Sequence, residues 1–147
     1  MKIKLSELVD MFDEIPYFEH IVYDKKEDSF IFIDLNMMTM SEYEEVIDEI
    51  EQDEGGRYYF LPNKYIFHDS EIIEEYIDEV DNEMIQEELE ESFFGKEKYR
   101  RFKDTLKKYR LENDYYNYRE KYLRNMAIEW CEKNKIEYEK WKAETFS

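Results

Sequence analysis

The stretch HIVYDKKEDSFIFI, residues 20–33, determines the fold class predicted for this chain. Two runs rich in β-branched and aromatic residues, His20–Tyr23 and Phe30–Ile33, flank a polar segment. This pattern is typical of two antiparallel strands joined by a hairpin loop. A third run, Arg57–Leu61, follows a Gly-Gly pair and ends at a proline, as a bounded strand does. The N-terminal half is therefore predicted to hold a small antiparallel sheet of about three strands.

Helical periodicity surrounds this sheet and fills the second half of the chain. Apolar residues three and four apart predict amphipathic helices, and the first of them ends at Pro16. Ser41 and Glu44 have the spacing of a capping box, and Asp69 or Ser70 can cap a later helix. Helical stripes are predicted around 5–15, 41–50, 70–80, 82–93, 96–110 and 115–131. The fold class is α+β with a mainly helical C-terminal half, and we expect one acidic domain over residues 1–147. The tail is expected to pack back through Trp141 and Phe146.

Charge is distributed very unevenly along the sequence. Residues 1–95 contain 29 acidic and 6 basic residues, whereas residues 96–147 contain 10 acidic and 15 basic ones. The formal net charge of the whole chain is −18. The change occurs after Gly95, where a segment that we call the basic block, Lys96–Arg110, carries eight Lys or Arg and two acidic residues.

Three roles remain open for the basic block: neutralising the acidic part of the chain, binding an acidic protein, or binding nucleic acid. We interpret the chain as a non-enzymatic interaction or regulatory protein that recognises a macromolecular partner by charge, with an unknown protein as the favoured partner. Nucleic acid bound through the helix 96–110 is the alternative. The candidate partner-binding residues are Arg100, Arg101, Lys103 and Lys107, with Tyr99 or Phe102 as buried aromatic support.

Signatures of catalysis are missing from the sequence. His20, His68 and Cys131 do not form a pattern that supports a catalytic triad, and Cys131 is expected to be a buried small hydrophobe. Calcium-loop, P-loop and dinucleotide motifs are missing as well. We therefore predict no catalytic residue, no metal site and no cofactor. A metal-dependent enzyme is the least favoured alternative, and it would use the clustered carboxylates Glu71, Glu74, Glu75, Asp78 and Glu79.

The compartment follows from cysteine content and hydropathy. A single cysteine excludes an intrachain disulfide and fits a reducing environment. The sequence shows neither the apolar core of a signal peptide nor an apolar run of the roughly 18–20 residues that span a bilayer. We expect a cytoplasmic location without membrane association. The oligomeric state stays open, and acidic and basic parts on one chain allow head-to-tail pairing.

Several strings in the second half of the chain carry a family resemblance. They are Tyr99-Arg-Arg-Phe-Lys-Asp104 after Gly95, Tyr116-x-Tyr118-Arg119 and Ala127-Ile-Glu-Trp-Cys131, together with Arg57-Tyr-Tyr-Phe-Leu-Pro62, Tyr65 and the helix from Glu71. Over roughly residues 55–136 the chain resembles Uncharacterised Protein Family 0158, a family of small acidic bacterial proteins. It departs from the family pattern at Glu97, Lys98 and Tyr115. The resemblance implies a bacterial or bacteriophage source and a cytoplasmic location, and it supplies no catalytic residue.

Overall fold

The computed structural model describes residues 2–139. The chain divides into two compact units, which are treated separately below. Among the described residues, the sheet unit comprises residues 2–67 and 123–139, and the helical unit comprises residues 68–122. The expectation of one domain over residues 1–147 stays a prediction.

The sheet unit begins with alternating short strands and helices. Its N-terminal elements are β1 (Ile3–Lys4), α1 (Leu5–Glu14), a 3-10 turn (Ile15–Tyr17), β2 (His20–Asp24), β3 (Ser29–Ile33), α2 (Met40–Glu51) and β4 (Tyr58–Phe60). Strands β3, β2 and β4 form an antiparallel sheet in that order, with Ile21 opposite Phe32 and Val22 opposite Phe60. The predicted three-stranded sheet is confirmed.

The central strand β2 is paired along both edges and buried on both faces. Its residues from Ile21 to Asp24 are all buried, and Val22 forms a core cluster with Ile33 and Ile50. In a second, two-stranded sheet, β1 pairs in parallel with β5 (Tyr138–Glu139), and Ile3 lies opposite Tyr138. This pairing was not predicted, since strands of two residues are too short to show a period in the sequence.

The helical unit consists of helices only. They are α3 (Asp69–Asp78), α4 (Glu83–Ser92), α5 (Lys98–Lys108) and the first half of α6 (Glu112–Lys133), which continues into the sheet unit after Tyr122. One apolar side of each helix contributes to a common core. The buried members of that core are Ile73, Tyr76, Ile77, Leu89, Phe93, Phe102, Leu106 and Tyr115. The α+β class with a helical second half is thus confirmed.

Two predicted helix starts are wrong. The capping box of α2 is formed by Thr39 and Glu42, and not by Ser41 and Glu44, because the helix already begins at Met40. Helix α3 begins at Asp69 after His68, which makes no side-chain capping bond. Asp69 therefore lies in the first turn, where a negative charge is favourable beside the free N–H groups of the helix.

Two remaining expectations concern the membrane and the C-terminal tail. Within residues 2–139, none of the helices is both long and apolar enough to cross a lipid bilayer. The predicted packing of Trp141 and Phe146 falls outside the described residues.

Candidate functional site

Helix α5 presents the basic block as an amphipathic helix. Gly95 and Glu97 both adopt the left-handed conformation, with φ of 75° and 59°, and so end the preceding turn before α5 starts at Lys98. Phe102 and Leu106 are each 1% exposed and anchor the helix to the core of the helical unit. The cations occupy the remaining surface of the helix.

All four predicted partner-binding residues are exposed. We call this set, Arg100, Arg101, Lys103 and Lys107, the cationic face. Its only ion pair in the described part of the chain joins Arg100 Nη2 to Glu97 Oε2 at 2.6 Å, one helical turn away. Arg101 Nε donates to the carbonyl oxygen of Ser92 at 3.3 Å. Three of the four cations therefore carry charge that no carboxylate of residues 2–139 pairs.

A different lysine links α5 to the acidic side of the helical unit. Lys108 Nζ lies 2.6 Å from Glu88 Oε1 on α4, and the Tyr109 hydroxyl donates to the same carboxylate. Residues 69–92 contain twelve acidic and no basic residues. Within the helical unit, the acidic helices α3 and α4 are thus separated in sequence from the basic helix α5. Lys108 forms an ion pair between α5 and α4.

The two predicted aromatic supports differ in exposure. Phe102 is buried, whereas Tyr99 is 47% exposed. Tyr99 packs edge-on against Phe93, with ring centroids 5.2 Å apart, and Lys98 Nζ lies 4.6 Å from the Phe93 centroid. Phe102 therefore supplies the buried support, and Tyr99 contributes an accessible ring beside the cationic face.

A cavity of about 380 Å³ opens beside α5, and we call it the aromatic pocket. It brings Tyr99, Phe102 and Lys103 together and leaves out Arg100, Arg101 and Lys107. Helix α6 contributes residues that the sequence did not single out as functional, although Tyr115, Tyr116 and Arg119 recur at helical spacing. The pocket is lined by Asp69, Ile73, Tyr99, Phe102, Lys103, Tyr115, Tyr116 and Arg119.

The polar groups of this pocket include an ion pair and a buried tyrosine hydroxyl. Arg119 Nη2 lies 3.0 Å from Asp69 Oδ1, which ties α6 to the start of α3. Burial raises the pKa of Tyr115 to about 12, and the nearby Arg119 charge opposes this rise. The Tyr115 hydroxyl therefore keeps its proton at neutral pH. The aromatic pocket offers hydroxyl groups and cations over an apolar floor.

The structure gives little support for a catalytic role of the clustered carboxylates or of the Cys131 thiol. Glu74 and Asp78 share a depression of about 140 Å³ with Glu90. Within residues 2–139, no group of three or more His, Cys, Asp or Glu side chains could hold a metal ion. Cys131 is buried, as predicted, and burial raises its pKa to about 11. Its thiol is therefore protonated at neutral pH, whereas a cysteine nucleophile reacts as the thiolate.

Comparison with known proteins identifies a family. No curated protein and no solved structure matches the chain. The family model of an uncharacterised protein family, UPF0158, matches residues 1–143. The match extends well beyond the residues 55–136 that carry the resemblance in sequence and includes the sheet unit's N-terminal elements. The chain therefore belongs to the uncharacterised protein family UPF0158.

Proposed function

We propose that this chain is a non-enzymatic interaction protein that binds an acidic protein partner through the cationic face of α5. The observation that carries the proposal is the accessibility of that face: Arg101, Lys103 and Lys107 are exposed and have no carboxylate partner within residues 2–139. Complementary charges accelerate encounter and suppress partners of the wrong sign. A cytoplasmic location is part of the same proposal.

The main anchors of α5 lie outside the cationic face. Phe102 and Leu106 anchor α5 through apolar contacts, and Lys108 supplies the ion pair to α4. Rotamer freedom of exposed Lys and Arg allows them to adapt to a second surface, at the cost of ordering them. The face thus fits a transient interaction whose rate and affinity depend on salt.

Nucleic acid is the second candidate because one observation favours it. Tyr99 and Tyr116 are 47% and 49% exposed beside Lys103, and exposed rings next to cations are typical of single-strand binding surfaces. Against this, residues 69–92 of the same unit carry twelve carboxylates, which repel a long phosphate backbone. A folded protein can present a smaller acidic patch that meets only the cationic face.

Charge reversal on the cationic face tests the proposal. Arg100→Glu/Arg101→Glu should weaken binding of a short fluorescein-labelled acidic peptide by about tenfold or more, because attraction becomes repulsion at two positions. Fluorescence anisotropy at low and at moderate salt measures the binding. The control Lys25→Glu/Lys26→Glu makes the same change in net charge on two exposed lysines of the sheet unit and should bind nearly as the wild type does.

Two results would contradict the proposal. If both variants lose binding equally, overall charge and not the cationic face governs recognition. If Arg100→Glu/Arg101→Glu lowers the thermal midpoint sharply, these arginines support the fold and not an interface. A fluorescein-labelled single-stranded RNA that binds more tightly than the acidic peptide, with steep salt dependence, would make nucleic acid the better assignment.

A further inference from the structure

The inner surface of the aromatic pocket is apolar and suits a planar side chain. Ile73, Phe102 and Tyr115 are at most 5% exposed and form its inner surface. Phe102 and Tyr115 meet edge-to-face, with ring centroids 5.1 Å apart and planes at 83°. A volume of about 380 Å³ lies at the lower end of the range of small ligand sites. The pocket can therefore enclose an aromatic ring.

The mouth of the pocket selects for aromatic contact. Tyr99 and Tyr116 are each about half exposed and line it from α5 and α6. Exposed tyrosines give a large rigid contact area and lose little rotamer freedom on binding. Aromatic pairs also contribute interaction free energy beyond that expected from the surface area that they bury. An incoming phenyl or indole ring would complete the contacts that Tyr99 and Tyr116 leave open to solvent.

The charges at the mouth select for anionic neighbours of that ring. Lys103 belongs to both the aromatic pocket and the cationic face, and it has no carboxylate partner within residues 2–139. Arg119 is fixed against Asp69, so that its guanidinium is held at the pocket while the pair is locally neutral. The uncompensated charge is thus positive, and it continues along α5 towards Lys107.

We propose that the aromatic pocket receives an aromatic side chain of the partner, flanked by Asp or Glu residues that contact the cationic face. This inference rests on the proposed function and names the partner's recognition element. Buried aromatic anchors within a polar rim carry most of the affinity of typical interfaces. An aromatic ring in the pocket and carboxylates on α5 reproduce that arrangement.

A pair of acidic peptides tests this assignment. One peptide carries a central phenylalanine, and the other has alanine at that position. The phenylalanine peptide should bind the full-length protein about tenfold or more tightly in anisotropy titrations, as expected for an anchor residue. In Tyr99→Ala/Tyr116→Ala the two peptides should bind alike. The control Tyr17→Ala removes a 73% exposed tyrosine of the sheet unit and should preserve the difference.

Failure of the pocket can be separated from failure of the proposed function. Equal binding of the two peptides to the wild type, with loss of both in Arg100→Glu/Arg101→Glu, would overturn the pocket and leave the cationic face standing. No binding of either peptide would overturn both. Displacement of the phenylalanine peptide by adenosine monophosphate, with tighter binding of single-stranded RNA, would reassign the pocket to nucleotides and overturn the proposal.

A second copy of this chain is the remaining occupant to exclude. Glu90 and Glu91 precede Phe94, which is 78% exposed, so that the chain itself carries an acidic and aromatic segment. Sedimentation velocity over a range of concentrations measures self-association. A monomer is expected throughout. Self-association that Phe94→Ala and Tyr99→Ala/Tyr116→Ala both abolish would overturn the proposal, since the pocket would then bind this chain.

Discussion

At the scale of single residues, the contact between Asp24 and Arg57 shows how a charged group can be buried in an acidic protein. Asp24 Oδ1 and Oδ2 accept hydrogen bonds from Arg57 Nε and Nη2 at 2.9 and 2.8 Å. The backbone N–H groups of Lys26 and Glu27 also donate to Asp24 Oδ1. Bidentate pairing and full hydrogen bonding offset the cost of removing the carboxylate from water. The sequence placed Asp24 in a loop, because a buried partner 33 positions away leaves no local signal.

Replacing Asp24→Asn is expected to lower the free energy of unfolding by about 2 kcal/mol at neutral pH, since charge-assisted bonds are lost in a buried position. The Arg57 bonds hold the pKa of Asp24 below its usual value. This stabilisation is complete above the unfolded carboxyl pKa of about 3.9 and is lost as pH falls through the lower folded pKa. Urea unfolding at neutral and acidic pH measures it. The difference between wild type and variant should shrink in acid, and the exposed control Asp10→Asn should show neither effect.

At the scale of elements, periodicity located the helices well and their ends poorly. The apolar residues of α1 and α3 were predicted correctly, because their spacing reflects burial on one side of the helix. The start of α2 was misplaced, since Thr39 with Glu42 and Ser41 with Glu44 both satisfy the same spacing rule. Only the backbone decides between them: Thr39 is extended, with ψ of 163°, and accepts from the Glu42 N–H at 3.1 Å.

The two candidate caps of α2 can be compared directly. Thr39→Ala should lower the free energy of unfolding by about 1 kcal/mol, because the Glu42 N–H loses its side-chain acceptor. Ser41→Ala should change it by less than about 0.5 kcal/mol, since Ser41 is an exposed residue within the helix. Both variants are measured by urea unfolding under identical conditions. A larger loss for Ser41→Ala would place the helix start where the sequence pattern had suggested it.

At the scale of the whole molecule, the sequence predicted where the charged residues lie along the chain, but not which of them the fold brings together. The sequence identified the basic block, and exposure of Arg100, Arg101, Lys103 and Lys107 follows from the apolar stripe of Phe102 and Leu106. The aromatic pocket could not be predicted, because Asp69, Lys103 and Arg119 are far apart in sequence. Only the packing of α3, α5 and α6 brings them together.

A net charge of −18 also predicts how the whole chain responds to salt. Like charges repel within the compact state, and screening weakens that repulsion as the Debye length falls from about 30 Å at 0.01 M to about 10 Å at 0.1 M salt. The thermal midpoint should therefore rise over this range of sodium chloride, as measured by circular dichroism. Lys25→Glu/Lys26→Glu adds negative charge and should steepen the rise. A midpoint that falls with salt would mean that ion pairs such as Arg57–Asp24 outweigh the repulsion, because screening weakens attraction between opposite charges as well.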